Sequence, residues 1–118
     1  MANILMVDDE AGLRALLKEE LTDHGHRVEG VDDEEAMWRC LERFPADMIL
    51  LDLQLQQKKG WEVLAEIRRA APNLPVLIFT AYDSYAEDPR LAQANGYVVK
   101  NIESMTILKR TVDAVLSL

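Results

Sequence analysis

Short apolar runs alternate along the chain with longer stretches of helical period. Ile4-Leu5-Met6-Val7, Met48-Ile49-Leu50-Leu51 and Val76-Leu77-Ile78-Phe79 are continuous apolar runs of strand length, as buried parallel strands are. Val28 to Val31 reads as a weaker second strand, and Tyr97-Val98-Val99 as a fifth. After the first strand, Leu13, Leu16, Leu17 and Leu21 recur at i, i+3, i+4 and i+8, which is one helix face, and Gly25 suits that helix's C-terminal end. His24 and His26 flank the glycine and read as exposed capping residues rather than a pH sensor. Asp32 and Glu35 have the spacing of a capping box. The helix they open carries Met37, Cys40, Leu41 and Phe44 on one face and ends at Pro45. Gly60 opens a third helix, with Val63, Leu64, Ile67 and Ala71 apolar, and Pro72 and Pro75 bracket the turn that follows. Asp88-Pro89 has the form of an N-cap with proline at the first helical position, which confines a fourth helix to about two turns ending near Asn95. Met105, Leu108, Val112, Val115 and Leu116 mark a last amphipathic helix.

Five strand–helix units in strict alternation imply a parallel sheet covered by helices on both faces. Ligands in such sheets bind beyond the carboxyl ends of the strands, at the switch point in strand order. Those ends are polar here. Strand one runs into Asp8-Asp9-Glu10, strand three into Asp52, strand four into Thr80, and Lys100 follows strand five. The fold therefore gathers three aspartates and one lysine on one rim. Carboxylates ~4–5 Å apart repel by roughly 3–4 kcal/mol at an effective dielectric of 20. One lysine cannot neutralise three of them, whereas Mg²⁺, a hard cation that takes oxygen ligands and retains waters, can. An aspartate in such a site can act as a nucleophile toward phosphorus, with metal and lysine stabilising the charge on the transferring group.

Composition narrows the reading. The chain has 118 residues, the size of one domain, and 1–118 is read as one. Its net charge of −8 argues against direct nucleic-acid binding, which needs a basic surface. No apolar run approaches the ~18 residues that span a membrane, and the first residues lack the pattern of a signal peptide, so the chain reads as cytoplasmic with no membrane contact. The single cysteine, Cys40, allows no intrachain disulfide and lies on an apolar stripe, where it reads as core rather than a redox sensor. Trp38 and Trp61 read as packing residues. The runs Asp32 to Glu35 and Asp83 to Asp88 read as a helix N-terminus and a solvated loop.

Taken in order, Val7-Asp8-Asp9-Glu10, Leu50-Leu51-Asp52-Leu53 with Gly60 eight residues on, Phe79-Thr80-Ala81 and Gly96-Tyr97-Val98-Val99-Lys100 resemble the receiver domains of two-component response regulators. The resemblance covers residues 3–118. It implies a flavodoxin-like α/β three-layer sandwich, with a five-stranded parallel sheet in the order 2-1-3-4-5 and five helices, the fourth short. It also implies a phosphoacceptor switch rather than an enzyme in the ordinary sense. Asp52 would be the phosphoacceptor, and Asp9, Asp52 and the backbone carbonyl of Gln54 would bind Mg²⁺, with Asp8 acting through water. Lys100, Thr80 and Ala81 would contact the phosphoryl group, and Tyr97 would turn inward as Thr80 moves. The donor would be a phosphohistidine on a sensor histidine kinase or a histidine phosphotransfer protein, and the output a downstream protein or a homodimer.

Two positions depart from the family pattern. Asn101 stands where a proline in a cis peptide usually follows the lysine. A cis bond before any other residue costs about 3 kcal/mol, so a trans path is expected, with Lys100 aimed differently. Gln56 replaces a common proline, and the stretch from Thr80 to Lys100 looks about two residues short. Tyr82 sits where it could shield the phosphoryl group. Three other readings stand beside this one. An aspartate-nucleophile phosphatase would want an acid where Gln54 stands. A flavodoxin-like cofactor binder would want a phosphate cradle where Asp8-Asp9-Glu10 stands. A degenerate receiver would bind partners without being phosphorylated.

Overall fold

A computed structural model describes residues 1–55, 59–81, 85–101 and 104–117. Gln56, Tyr82 and Asp83 lie outside the described residues. The elements in chain order are β1 (Asn3–Val7), α1 (Ala11–Asp23), β2 (Arg27–Val31), α2 (Glu34–Leu41), β3 (Met48–Leu51), α3 (Gly60–Ala70), β4 (Val76–Thr80), a 3-10 helix (Pro89–Gln93), β5 (Gly96–Val99) and α4 (Ser104–Leu116). All strand pairs are parallel and the order is β2-β1-β3-β4-β5. This is the flavodoxin-like sandwich that the resemblance implies, with one difference: the fourth helical segment is five residues of 3-10 helix rather than two α turns.

The apolar strands are buried because both of their faces are covered. Side chains of a strand alternate between the faces of a sheet. Leu5, Val7, Ile49, Leu51 and Ile78 point to one face and pack with Met37, Cys40, Val63, Leu64 and Ile67 of α2 and α3. Ile4, Met6, Met48, Leu50, Leu77, Phe79 and Val98 point to the other and pack with Leu17, Leu21, Leu108, Val112 and Val115 of α1 and α4. Each such side chain removed from water contributes roughly 1.5–3 kcal/mol before chain entropy is subtracted. Cys40 is buried in the first of these layers, and burial raises its thiol pKa, as befits a core cysteine.

The helix ends differ in detail from the sequence pattern. Asp33, not Asp32, caps α2, its side chain accepting from the Ala36 amide at 2.8 Å. That helix closes at Leu41, and the buried Phe44 belongs to the turn beyond it. Leu16 is 46% exposed, so the buried stripe of α1 is narrower than its leucines suggest. His26 is only partly exposed, because its Nδ1 accepts from the Ala2 amide at 3.2 Å. Trp38 donates from Nε1 to Glu34 at 3.1 Å.

Register sets the upper rim. Val7 pairs with Leu51 across β1 and β3, so the next residues, Asp8 and Asp52, leave the sheet side by side. Strand order reverses between these two strands, which makes this the switch point. Thr80 pairs with Val99, and the Lys100 amide continues the ladder by donating to the Thr80 carbonyl at 2.7 Å.

Candidate functional site

Asp8 and Asp52 are 2% and 6% exposed, and Asp9 is half-buried. Carboxylate oxygens of Asp8, Asp9 and Asp52 all lie within 4.8 Å of one another. The Lys100 ammonium reaches between two of them, with Nζ 2.7 Å from Asp8 Oδ2 and 2.9 Å from Asp52 Oδ2. The other oxygens face backbone donors: Asp8 Oδ1 accepts from the Glu10 amide at 2.9 Å and Asp52 Oδ1 from the Gln54 amide at 3.0 Å. Each is an Asx turn, the local bond that lets aspartate end a strand. The Lys100–Asn101 peptide is trans, as expected with asparagine there, and the lysine meets both aspartates.

Several backbone features hold this geometry. The Gly60 amide donates to the Leu53 carbonyl at 2.9 Å. A Cβ on Gly60 would stand 2.4 Å from Leu53 Cα and 2.7 Å from the Asp52 carbonyl oxygen, so only glycine lets α3 start this close to the end of β3. Gln54 and Lys59 form an isolated antiparallel bridge across the loop. Arg14 of α1 donates to the Asp8 carbonyl at 2.6 Å. The sequence pattern gave no notice of Arg14, because an arginine beside a leucine stripe looks like any solvated helix residue.

Thr80 is fully buried, and its Oγ1 has no hydrogen-bond partner among the described residues. An unsatisfied buried hydroxyl costs about 1–3 kcal/mol. Ala81 is exposed just beyond it, and Gln54 is exposed, with its amide donating to the Tyr85 hydroxyl at 3.3 Å. Tyr97 is half-buried and packs against the α2/α3 side of the core. Trp61 is buried, with Tyr85 edge-on at 5.5 Å and the Arg90 guanidinium 4.3 Å above its ring. That stack joins the start of α3 to the 3-10 helix and was not foreseen from the sequence.

Burial is the main influence on Asp52 and raises its carboxyl pKa; Asp8 adds to the rise, while the Gln54 amide and Lys100 oppose it. For Lys100, burial pulls the pKa down, but the hydrogen bonds and charges of Asp8 and Asp52 outweigh it, and the net shift is upward. The rim therefore holds a charged lysine against a carboxylate that is costly to keep ionised. A group of hard oxygen donors around excess negative charge fits Mg²⁺.

The chain belongs to the response regulator receiver domains: the family model of that description matches residues 4–112. Among curated relatives, transcriptional regulatory protein GlrR of Escherichia coli K12 is 30% identical over 96% of this chain and 26% of its own length. Two-component response regulator PhoP of Pseudomonas aeruginosa is 37% identical over 82% of this chain and 44% of its own. The chain thus spans less than half the length of these relatives. Response regulator TrrA of Thermotoga maritima, solved in complex with Mg²⁺ and BeF, superposes with a TM-score of 0.90 at 33% identity, covering 98% of this chain and 99% of that one. The same regulator has been solved in complex with the histidine kinase ThkA. Receiver domains are phosphoacceptor regulators of two-component systems rather than enzymes in the ordinary sense. No described helix is long and apolar enough to cross a membrane.

Proposed function

We propose that this chain is a phosphoacceptor switch of a two-component or phosphorelay system, taking a phosphoryl group from a phosphohistidine onto Asp52. The observation that carries the proposal is the Lys100 ammonium held between Asp8 and Asp52, with Asp9 completing a triad of carboxylates within 4.8 Å. In the reaction, a carboxylate oxygen of Asp52 forms the new bond to phosphorus as the bond from phosphorus to the donor histidine nitrogen breaks. Asp9, Asp52 and the Gln54 carbonyl would hold Mg²⁺, with Asp8 acting through water. The cation, when bound, would neutralise the triad and spread the charge of the phosphoryl oxygens.

The remaining steps belong to this chain's own side chains. Lys100, already 2.9 Å from Asp52, would keep one of its hydrogen bonds for a phosphoryl oxygen. The unpartnered hydroxyl of Thr80 would gain an acceptor by moving toward that group. Tyr97 would then turn into the space Thr80 leaves, carrying the change to the β5 edge. Ala81, exposed at the rim, would lie against the phosphoryl group without crowding it. A sensor histidine kinase or a histidine phosphotransfer protein would be the donor, with a cytoplasmic setting and a downstream protein or second copy as output.

The test is to incubate the protein with Mg²⁺ and acetyl phosphate and weigh it intact. One labile phosphoryl adduct is expected in the wild type and none in Asp52→Asn. An adduct that persists in Asp52→Asn would move the acceptor elsewhere, and no adduct in either protein would favour the degenerate reading.

A further inference from the structure

At the opposite end of the sheet from Asp52, three side chains converge that the receiver chemistry does not use. His24 is the C-cap of α1, its amide donating to the Glu20 carbonyl at 3.1 Å. Gly25 then takes a φ of +97°, a left-handed turn that favours glycine and brings His26 back beside His24. The two imidazole rings stand 5.6 Å apart at 57°. Both face Asp113 of α4: His24 Nε2 lies 3.0 Å from Oδ2 and 3.3 Å from Oδ1, and His26 Nε2 lies 3.9 Å from Oδ1. One ligand atom from each of the three lies within 4.8 Å of the other two.

We propose that His24, His26 and Asp113 form a binding site for a d-block divalent cation, of which Zn²⁺ is the representative. An ion pair accounts for His24 and Asp113, and the Ala2 amide occupies His26 Nδ1, but His26 Nε2 is left over. Its side chain is 8% exposed, and its Nε2 is buried with no hydrogen-bond partner among the described residues, since 3.9 Å is too long for a hydrogen bond. A buried nitrogen aimed at a carboxylate and a second imidazole is what a ligand sphere requires.

The helix ends favour a cation there, against the opposing charge of the Met1 ammonium. Asp113 lies in the last turn of α4, where the helix already presents partial negative charge, and no basic residue stands in that turn to offset it. The last turn of α1, which ends at His24, also has no basic residue. Two negative helix ends therefore face one point. Two imidazole nitrogens and one carboxylate match Zn²⁺ rather than Mg²⁺, and three protein ligands leave a position for water. Coordination through Nε2 places the His26 ring proton on Nδ1 and gives up the 3.2 Å contact from the Ala2 amide. His24 and Asp113 are exposed, so an ion reaches the site directly from solvent. A bound ion would tie the α1–β2 turn to α4.

A Zn²⁺ titration of the full chain tests this, followed by melting temperature and by the histidine ring resonances. The double change Asp9→Ala with Asp52→Asn is carried throughout, so that the acidic rim takes no ion. One equivalent of Zn²⁺ is expected to raise the melting temperature and shift both histidine rings. His24→Ala and Asp113→Asn, both at exposed positions, should each weaken the affinity about 10-fold or more. A protein that ignores Zn²⁺ up to ~100 µM, or that binds it equally well in His24→Ala and Asp113→Asn, would leave an ordinary histidine–aspartate pair and overturn the site.

Discussion

Burial and charge act in opposite directions on Asp52. Desolvation raises its pKa above the ordinary 3.8, and the Gln54 amide and Lys100 only partly offset the rise. A carboxyl whose folded pKa is raised holds its proton more tightly when folded. Stability from this group therefore falls as pH climbs from the unfolded value through the folded one, and stays lower at neutral pH. Asparagine keeps the acceptor for the Gln54 amide and removes the charge. Asp52→Asn should accordingly melt a few degrees higher than wild type at pH 7 in the presence of a chelator, with the difference shrinking as pH is lowered through the carboxylate range. A lower melting temperature would mean that the Lys100 ion pair, not desolvation, dominates. Asp8, Asp52 and Lys100 could be placed from the sequence because each directly follows an apolar strand. Other residues could not. Asp32 and Asp33 are chemically identical candidates for one cap, and only backbone geometry selects Asp33. His26 looked exposed because its burial depends on the N-terminal residues, distant in sequence.

At the scale of elements, the strands were the most legible part, since β3 and β4 are apolar at nearly every position and a two-faced burial explains that directly. The segment after β4 was the least. Pro89 correctly marked a helical start, with Asp88 capping it, but the helix holds only five residues before the chain turns extended at Ala94. Its position is set instead by contacts distant in sequence. Arg68 of α3 donates to the carbonyls of Gln93 at 2.6 Å and Leu74 at 2.7 Å and to the Asn95 side chain at 2.9 Å, while Asn95 Oδ1 also accepts from the Val76 amide at 2.9 Å. This knot ties the end of α3 and the approaches to β4 and β5 together. Arg68→Ala should destabilise the protein by about 1 kcal/mol in urea unfolding, because it takes the donor from the part-buried carbonyls of Ala71 and Leu74. It should also loosen the 3-10 helix, visible as faster amide exchange at Leu91 and Ala94. A change below about 0.5 kcal/mol would show that water replaces the guanidinium without cost.

For the whole molecule, the net charge is −8, and three of its acidic groups meet at one rim. Asp8, Asp9 and Asp52 share one lysine, and relieving their repulsion should be measurable as global stability. Millimolar Mg²⁺ should raise the melting temperature, as any ligand selective for the folded state does, and Asp9→Ala should abolish the gain without lowering the metal-free value. Equal gains in both proteins would place the ion elsewhere. The parallel sheet and its rim of polar residues followed from alternation, and the strand order from the resemblance to receiver domains. The Trp61–Tyr85–Arg90 stack did not, because an aromatic ring, a tyrosine and an arginine at such separations leave no periodic trace.

A crystal grown with Mg²⁺ and beryllofluoride puts the central claim to its most direct test. The fluoride adduct should sit on an Asp52 oxygen, with Mg²⁺ against Asp9 and Asp52, Lys100 on one fluorine and the Thr80 hydroxyl turned to another. An empty rim, or Asp9 and Asp52 directed apart with Thr80 still buried and unpartnered, would contradict it.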